Sequence, residues 1–152
     1  MNSERILVLL DSINNESILN LSISLAKNNN SKLFFIYVIE TPHKYPIDYE
    51  IGNQISVGEN ILKEANDFLS RNKLEYDINS DSFILVQSRN AGVATIKESE
   101  RIGCDLIIFS KNNENNDYKY SYIKKYSKIN LIEITNKKLW KLQYLVYQIK
   151  QG

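Results

Sequence analysis

Short apolar runs separated by helix-length amphipathic stretches fix what this chain can become. Residues 5–10 (RILVLL), 33–39 (LFFIYVI), 82–86 (SFILV) and 105–109 (DLIIF) hold apolar side chains at successive rather than alternate positions. A strand can do this only where both faces of its sheet are covered, as in a parallel sheet. Residues 129–134 (INLIEI) supply a fifth strand of mixed pattern. Between the runs, residues of one face fall at helical spacing: Leu19, Ser22, Ile23 and Ala26; then the apolar Ile61, Leu62, Ala65, Phe68 and Leu69; then Ala91, Ala94, Thr95 and Glu98. Residues 118–127 leave room for one short helix before the fifth strand. Asn28 to Asn30 stop the first helix, and Pro42 and Pro46 make 40–56 a long connecting loop. Parallel strands need crossover helices, so this order predicts an α/β doubly wound sheet of five parallel strands in the order 3-2-1-4-5.

Composition removes several classes of function. The 152 residues, 43% hydrophobic, suit one domain. Nineteen basic against 18 acidic side chains leave no electrostatic footprint for nucleic acid. A single cysteine, Cys104, forbids an internal disulfide and suits a reducing compartment. One His and one Cys cannot build a usual zinc site. No apolar run approaches the roughly 18 residues of a membrane span, so no membrane insertion is expected and the expected location is cytoplasmic.

A ligand on such a sheet is expected at the carboxyl ends of the strands. There the fourth strand is followed by residues 111–117, KNNENND, and no glycine occurs between Cys104 and Gln151. A backbone that wraps phosphate aims successive N–H groups inward, usually through φ > 0 residues that only glycine adopts at little cost. The scaffold of a phosphate site is present without its glycines.

Residues 5–11, Leu25-Ala26, the run 35–39 before a proline loop, and 103–108 (GCDLII) together resemble a universal stress protein (UspA-like) domain, of the adenine nucleotide alpha hydrolase-like superfamily. The resemblance spans about residues 4–135, read as a domain of residues 1–135 followed by an extension of residues 136–152. Residues 40–48 (ETPHKYPID) and 89–92 (RNAG) are similar to the variant also found fused to membrane transporters. The resemblance implies an adenine-nucleotide pocket at the ends of strands one and four. Asp11 would be its acidic residue, and Val38 would mark its adenine-side backbone. The family's phosphate loop, G-x-x-G with G-S or G-T about nine residues later, falls on Ser110, Asn113 and Tyr120-Ser121, so Ser121 alone is kept; Ser12 stands where a glycine usually follows the acid.

The expectation is therefore a regulatory or interaction domain that is not an enzyme, has lost tight ATP binding and carries no cofactor. The alternative is an adenine-nucleotide binder, of ATP or AMP, with an atypical phosphate loop. The fifth strand should be a sheet edge, which chains normally cover or pair, so a homodimer through it or through the C-terminal tail is expected; the resemblance points the same way for the fifth strand, and a protein or transporter partner is left open. Neither nucleic acid nor catalytic residues enter this reading.

Each singled-out residue also has a plainer role. Asp11 at a strand end can make a turn or cap the next helix, and Ser121 near a helix start can be an N-cap. His43 between two prolines reads as solvated, and Cys104 as a small buried hydrophobe. Arg89 either faces an anion or makes a surface salt bridge. Tyr118, Tyr120, Tyr122 and Tyr126 either fill the space of a nucleotide or stack on it. The extension places Leu139, Leu142, Leu145, Val146 and Ile149 near one helical stripe, so a helix is expected; Leu142, Tyr144 and Val146 alternate, which leaves a strand open. Trp140 is an anchor for the domain's own surface or for a partner.

Overall fold

A computed structural model of the chain describes residues 4–72, 80–111, 117–139 and 142–150. Strand β1 (Arg5–Leu9) leads into helix α1 (Glu16–Asn29), β2 (Lys32–Glu40), α2 (Gln54–Arg71), β3 (Phe83–Ser88), α3 (Ala91–Ile102), β4 (Leu106–Lys111), α4 (Asp117–Tyr126), β5 (Asn130–Leu139) and β6 (Leu142–Lys150). The first five strands are parallel and stand in the order 3-2-1-4-5, as the apolar runs predict. β1 is central, with Val8 beside both Phe35 and Ile108.

Successive strand residues feed opposite cores. Ile6, Val8, Phe35 and Ile108 pack with Ile18, Ile23, Ile61, Ala65 and Leu69 of α1 and α2. Leu7, Leu9, Ile36, Ile107 and Phe109 pack with Ala94, Ile96, Tyr120 and Ile123 of α3 and α4. Both faces of the sheet are thus covered, which explains the unbroken runs. The helix ends follow local chemistry. Asn30 closes α1 in the left-handed region at φ 53° and Gly103 closes α3 at φ 77°, the conformations that Asn and Gly tolerate best. Asn90 caps α3, its Oδ1 accepting from the backbone N–H of Gly92 and Val93.

The extension corrects the expected helix. Residues 142–150 form β6, antiparallel to β5 in unbroken register from Leu139 opposite Leu142 to Leu131 opposite Lys150. β5 therefore runs on to Leu139 and is flanked on both sides, so it is not the edge that the sequence suggested. The physical reason is the open row of backbone groups that β5 would otherwise expose, combined with the strand-favouring Tyr144, Val146, Tyr147 and Ile149. Trp140 lies outside the described residues. No helix among the described residues is long and apolar enough to cross a membrane.

Candidate functional site

At the carboxyl end of β1 the chain turns at Asp11, and its backbone is locked there. The Asp11 N–H donates to Asn15 Oδ1, and Asn15 Nδ2 donates back to the Asp11 carbonyl, each at 2.8 Å. Asn14 between them sits at φ 62°, a left-handed conformation that Asn tolerates. The Asp11 carboxylate then meets Lys119 in α4, whose Nζ lies 3.5 Å from Oδ1. Only 12% of the Asp11 side chain and 17% of the Lys119 side chain are exposed. The same ammonium lies 5.0 Å from the ring centre of Tyr120.

Asp11 and Lys119 border a cavity of about 90 Å³, lined also by Ser12, Tyr37, Val38 and Ala91. Small-molecule sites usually occupy about 300 to 1,000 Å³. Burial pushes the Tyr37 hydroxyl above its ordinary pKa, with the charges of Asp11 and Glu40 adding to the shift. Tyr37 is therefore neutral at pH 7. The nearby N-terminus of α3 is satisfied from within the protein: Ala91 N–H donates to Glu40 Oε2 at 2.9 Å, and the Asn90 side chain takes the next two donors. An anion would have to displace Glu40 to use this helix end.

Asp11 and Val38 thus come together in one cavity. Ser110 is buried at the end of β4 beside Ile134, and Ser121 is exposed one turn inside α4 rather than at its cap; neither lines the cavity. Asn113 and the loop at 112–116 lie outside the described residues. Tyr120 is buried and stacks on Phe109, with ring centres 5.6 Å apart, while Tyr122 leans on the exposed Tyr126. Arg89 does neither of the things expected of it. Its Nη1 donates to the carbonyls of Thr41 and Pro42, and Gln87 Nε2 donates to those of Ile47 and Tyr49, so the end of β3 holds the proline loop. His43 is exposed and Cys104 is buried.

Sequence reasoning missed Lys119, Tyr37 and Glu40. Tyr37 and Glu40 had a signal, as the polar positions of an otherwise apolar strand; Lys119 had none, being 108 residues from its partner. A wider open groove of about 430 Å³ lies between the 12–16 turn and α2, floored by Leu19, Ile61, Ala65 and Phe68. It lies on the α1 and α2 side of the sheet, away from Val38 and Lys119. Among the described residues no group of three or more His, Cys, Asp or Glu is placed to hold a metal ion.

No family model matches the chain, and no curated protein matches it in sequence. Solved structures do. A universal stress protein family member from Burkholderia pseudomallei is 18% identical, with 86% of this chain and 95% of that one covered at a TM-score of 0.63. The universal stress protein from Archaeoglobus fulgidus in complex with dAMP is 9% identical over 88% of this chain and 98% of its own, with a TM-score of 0.63. One from Arabidopsis thaliana with AMP bound is 9% identical over 87% of this chain and 91% of its own, at 0.60. At these identities the likeness establishes the fold: the chain has the architecture of universal stress proteins.

Proposed function

We propose that this chain is a universal stress protein-like regulatory or interaction domain that does not hold ATP tightly. The observation that carries the reading is the Lys119 to Asp11 contact, which sets a cation of the protein's own against the carboxylate that a nucleotide would meet. Two further observations support it: the cavity beside that pair is small, and Glu40 and Asn90 already take the donors of the α3 N-terminus. The glycine-free stretch from Asp105 to Lys150 supplies no glycine for a phosphate-wrapping loop. Losing two or three hydrogen bonds to phosphate, at about 1.5 to 3 kcal/mol each, moves a micromolar site to about 0.1 mM or weaker.

The competing reading is an adenine-nucleotide domain with an atypical phosphate loop. It is favoured by the shared cavity of Asp11 and Val38 and by structural neighbours solved with AMP and dAMP. In that case Lys119 would have to leave Asp11 and turn toward the phosphates. Calorimetry with ATP and AMP separates the two. Dissociation constants weaker than about 0.1 mM are expected; low-micromolar binding that disappears in Asp11→Ala establishes the competing reading.

A further inference from the structure

The amino ends of the strands carry a second concave surface, at the opposite end of β1 from Asp11. Arg5 and Lys32 stand directly beside each other on β1 and β2. Paired positions on neighbouring strands point to one face, here the face that α3 covers, since Leu7 and Phe34 two residues further on both pack in that core. Arg101, in the last turn of α3, is the third cation. Together they line an open trough of about 730 Å³, with Phe34, Ile84 and Ile102 as apolar lining and Asp81 as its one acid among the described residues. The whole chain has 19 basic and 18 acidic side chains, so the excess of cations here is local. Like charges at paired strand positions repel, and a fold keeps such a conflict chiefly at functional sites.

We propose that this trough binds a compact polyanion, a small molecule carrying two or more phosphate or carboxylate groups. The two strand cations are held in place without being neutralised. Arg5 Nη1 donates to the Ile102 carbonyl at 2.7 Å, which leaves the other N–H groups of the guanidinium for a ligand. Lys32 Nζ lies 5.6 Å from the ring centre of Phe34. Neither has an ion pair among the described residues, whereas Arg101 shares its charge with Glu98 at 2.8 Å. Asp105 is adjacent, but its Oδ2 accepts from the Arg5 backbone N–H and it does not line the trough. The carbonyls that end α3 would repel an anion, and they are occupied: Arg5 takes that of Ile102, and the Gly103 N–H takes those of Ser99 and Glu100. A concave wall of one charge sign gathers counter-ions, and the volume suits one small ligand. Side chains supply the donors here, so no glycine loop is needed. None of this depends on whether a nucleotide binds at the other end of the sheet.

Calorimetry on the full chain at low ionic strength, with citrate and with pyrophosphate, tests this. One saturable site with a dissociation constant below about 1 mM is expected for at least one of the two, and the one that binds names the anionic group. Lys32→Gln should weaken that binding at least about tenfold through the loss of one charge-assisted contact. Lys63→Gln removes an exposed cation from α2 on the other face of the sheet and should leave it unchanged. Amide chemical shifts give a readout that needs no variant: on titration they should move at Lys32, Ile84 and Ile102. Binding of neither anion overturns the proposal, as do equal losses in the two variants or shifts gathered around Asp11 and Lys119 instead. A poly-glutamate peptide that binds the trough when neither small anion does would make it a protein-docking surface and would equally overturn this choice of ligand.

Discussion

The carbonyl oxygen of Lys119 lies 2.6 Å from the point where a Cβ on Gly92 would stand, and the Cβ of Tyr122 lies 3.0 Å from it. Helix α4 therefore rests on the first turn of α3 more closely than any other residue at position 92 allows, and that approach is what carries Lys119 to Asp11. Gly92→Ala should force α4 outward. Overpacking costs about 1 to 3 kcal/mol, and the better helix propensity of Ala returns less than about 1. A net loss of about 1 to 2 kcal/mol is expected in urea unfolding. Unchanged stability would mean that α4 is not held by this contact.

The other tie on α4 is Lys124, whose Nζ lies 2.7 Å from Glu133 Oε2 on β5. The two ends differ: 5% of the Glu133 side chain is exposed against 37% of the Lys124 side chain. Removing the cation strands a buried carboxylate, whereas removing the carboxylate leaves an ammonium that can turn to water. Lys124→Ala should therefore cost about 2 kcal/mol, below the 3 to 5 of a fully buried pair, and Glu133→Gln about 1 or less. Denaturation of the two variants at one pH checks the order, which is the substance of the claim.

What the sequence reveals here is what local pattern encodes. The runs at 5–10, 33–39, 82–86 and 105–109 name their strands because helices on both faces of the sheet leave few polar positions, and the crossover rule then orders them. The tail was ambiguous for the same reason. Leu142, Leu145, Val146 and Ile149 fit a helical stripe, Leu142, Tyr144 and Val146 fit a strand, and only the availability of β5 as a partner decides between them. In the site, Asp11 was legible as the residue where β1 ends, and Val38 as a position near the end of β2. Lys119 and Arg89 were not, because their partners are set by how α4 and the proline loop pack rather than by spacing along the chain.

Arg89 and Gln87 make a separate prediction about the 41–53 loop. Four loop carbonyls, those of Thr41, Pro42, Ile47 and Tyr49, accept from these two side chains at the end of β3. Arg89→Ala removes the donors to the first two without opening a core cavity. Hydrogen exchange should therefore quicken across the loop while global stability falls by no more than about 1 kcal/mol. Exchange unchanged in the loop, or a large global loss, would show that Arg89 does something other than hold it.

Cys104 yields the pH prediction. Burial pushes its thiol pKa up to about 12 from an ordinary value of 9.0; the adjacent Asp105 charge raises it further, and Arg5 and Arg101 oppose the shift. The native thiol is thus neutral and inaccessible at pH 8, and should resist alkylation until urea unfolds the chain. Because the folded state keeps its proton to higher pH than the unfolded state, ionisation of this thiol leaves stability unchanged below about pH 9. Between about pH 9 and 12 the unfolded thiol ionises first and draws the equilibrium toward unfolding, so stability falls as pH rises. Lysines and tyrosines titrate in the same range, so the informative quantity is a difference. Cys104→Ala should start less stable through its lost packing yet decline less steeply above pH 9. Parallel pH profiles for the two proteins, or rapid alkylation of the native chain at pH 8, would show that the thiol is not held as its burial implies.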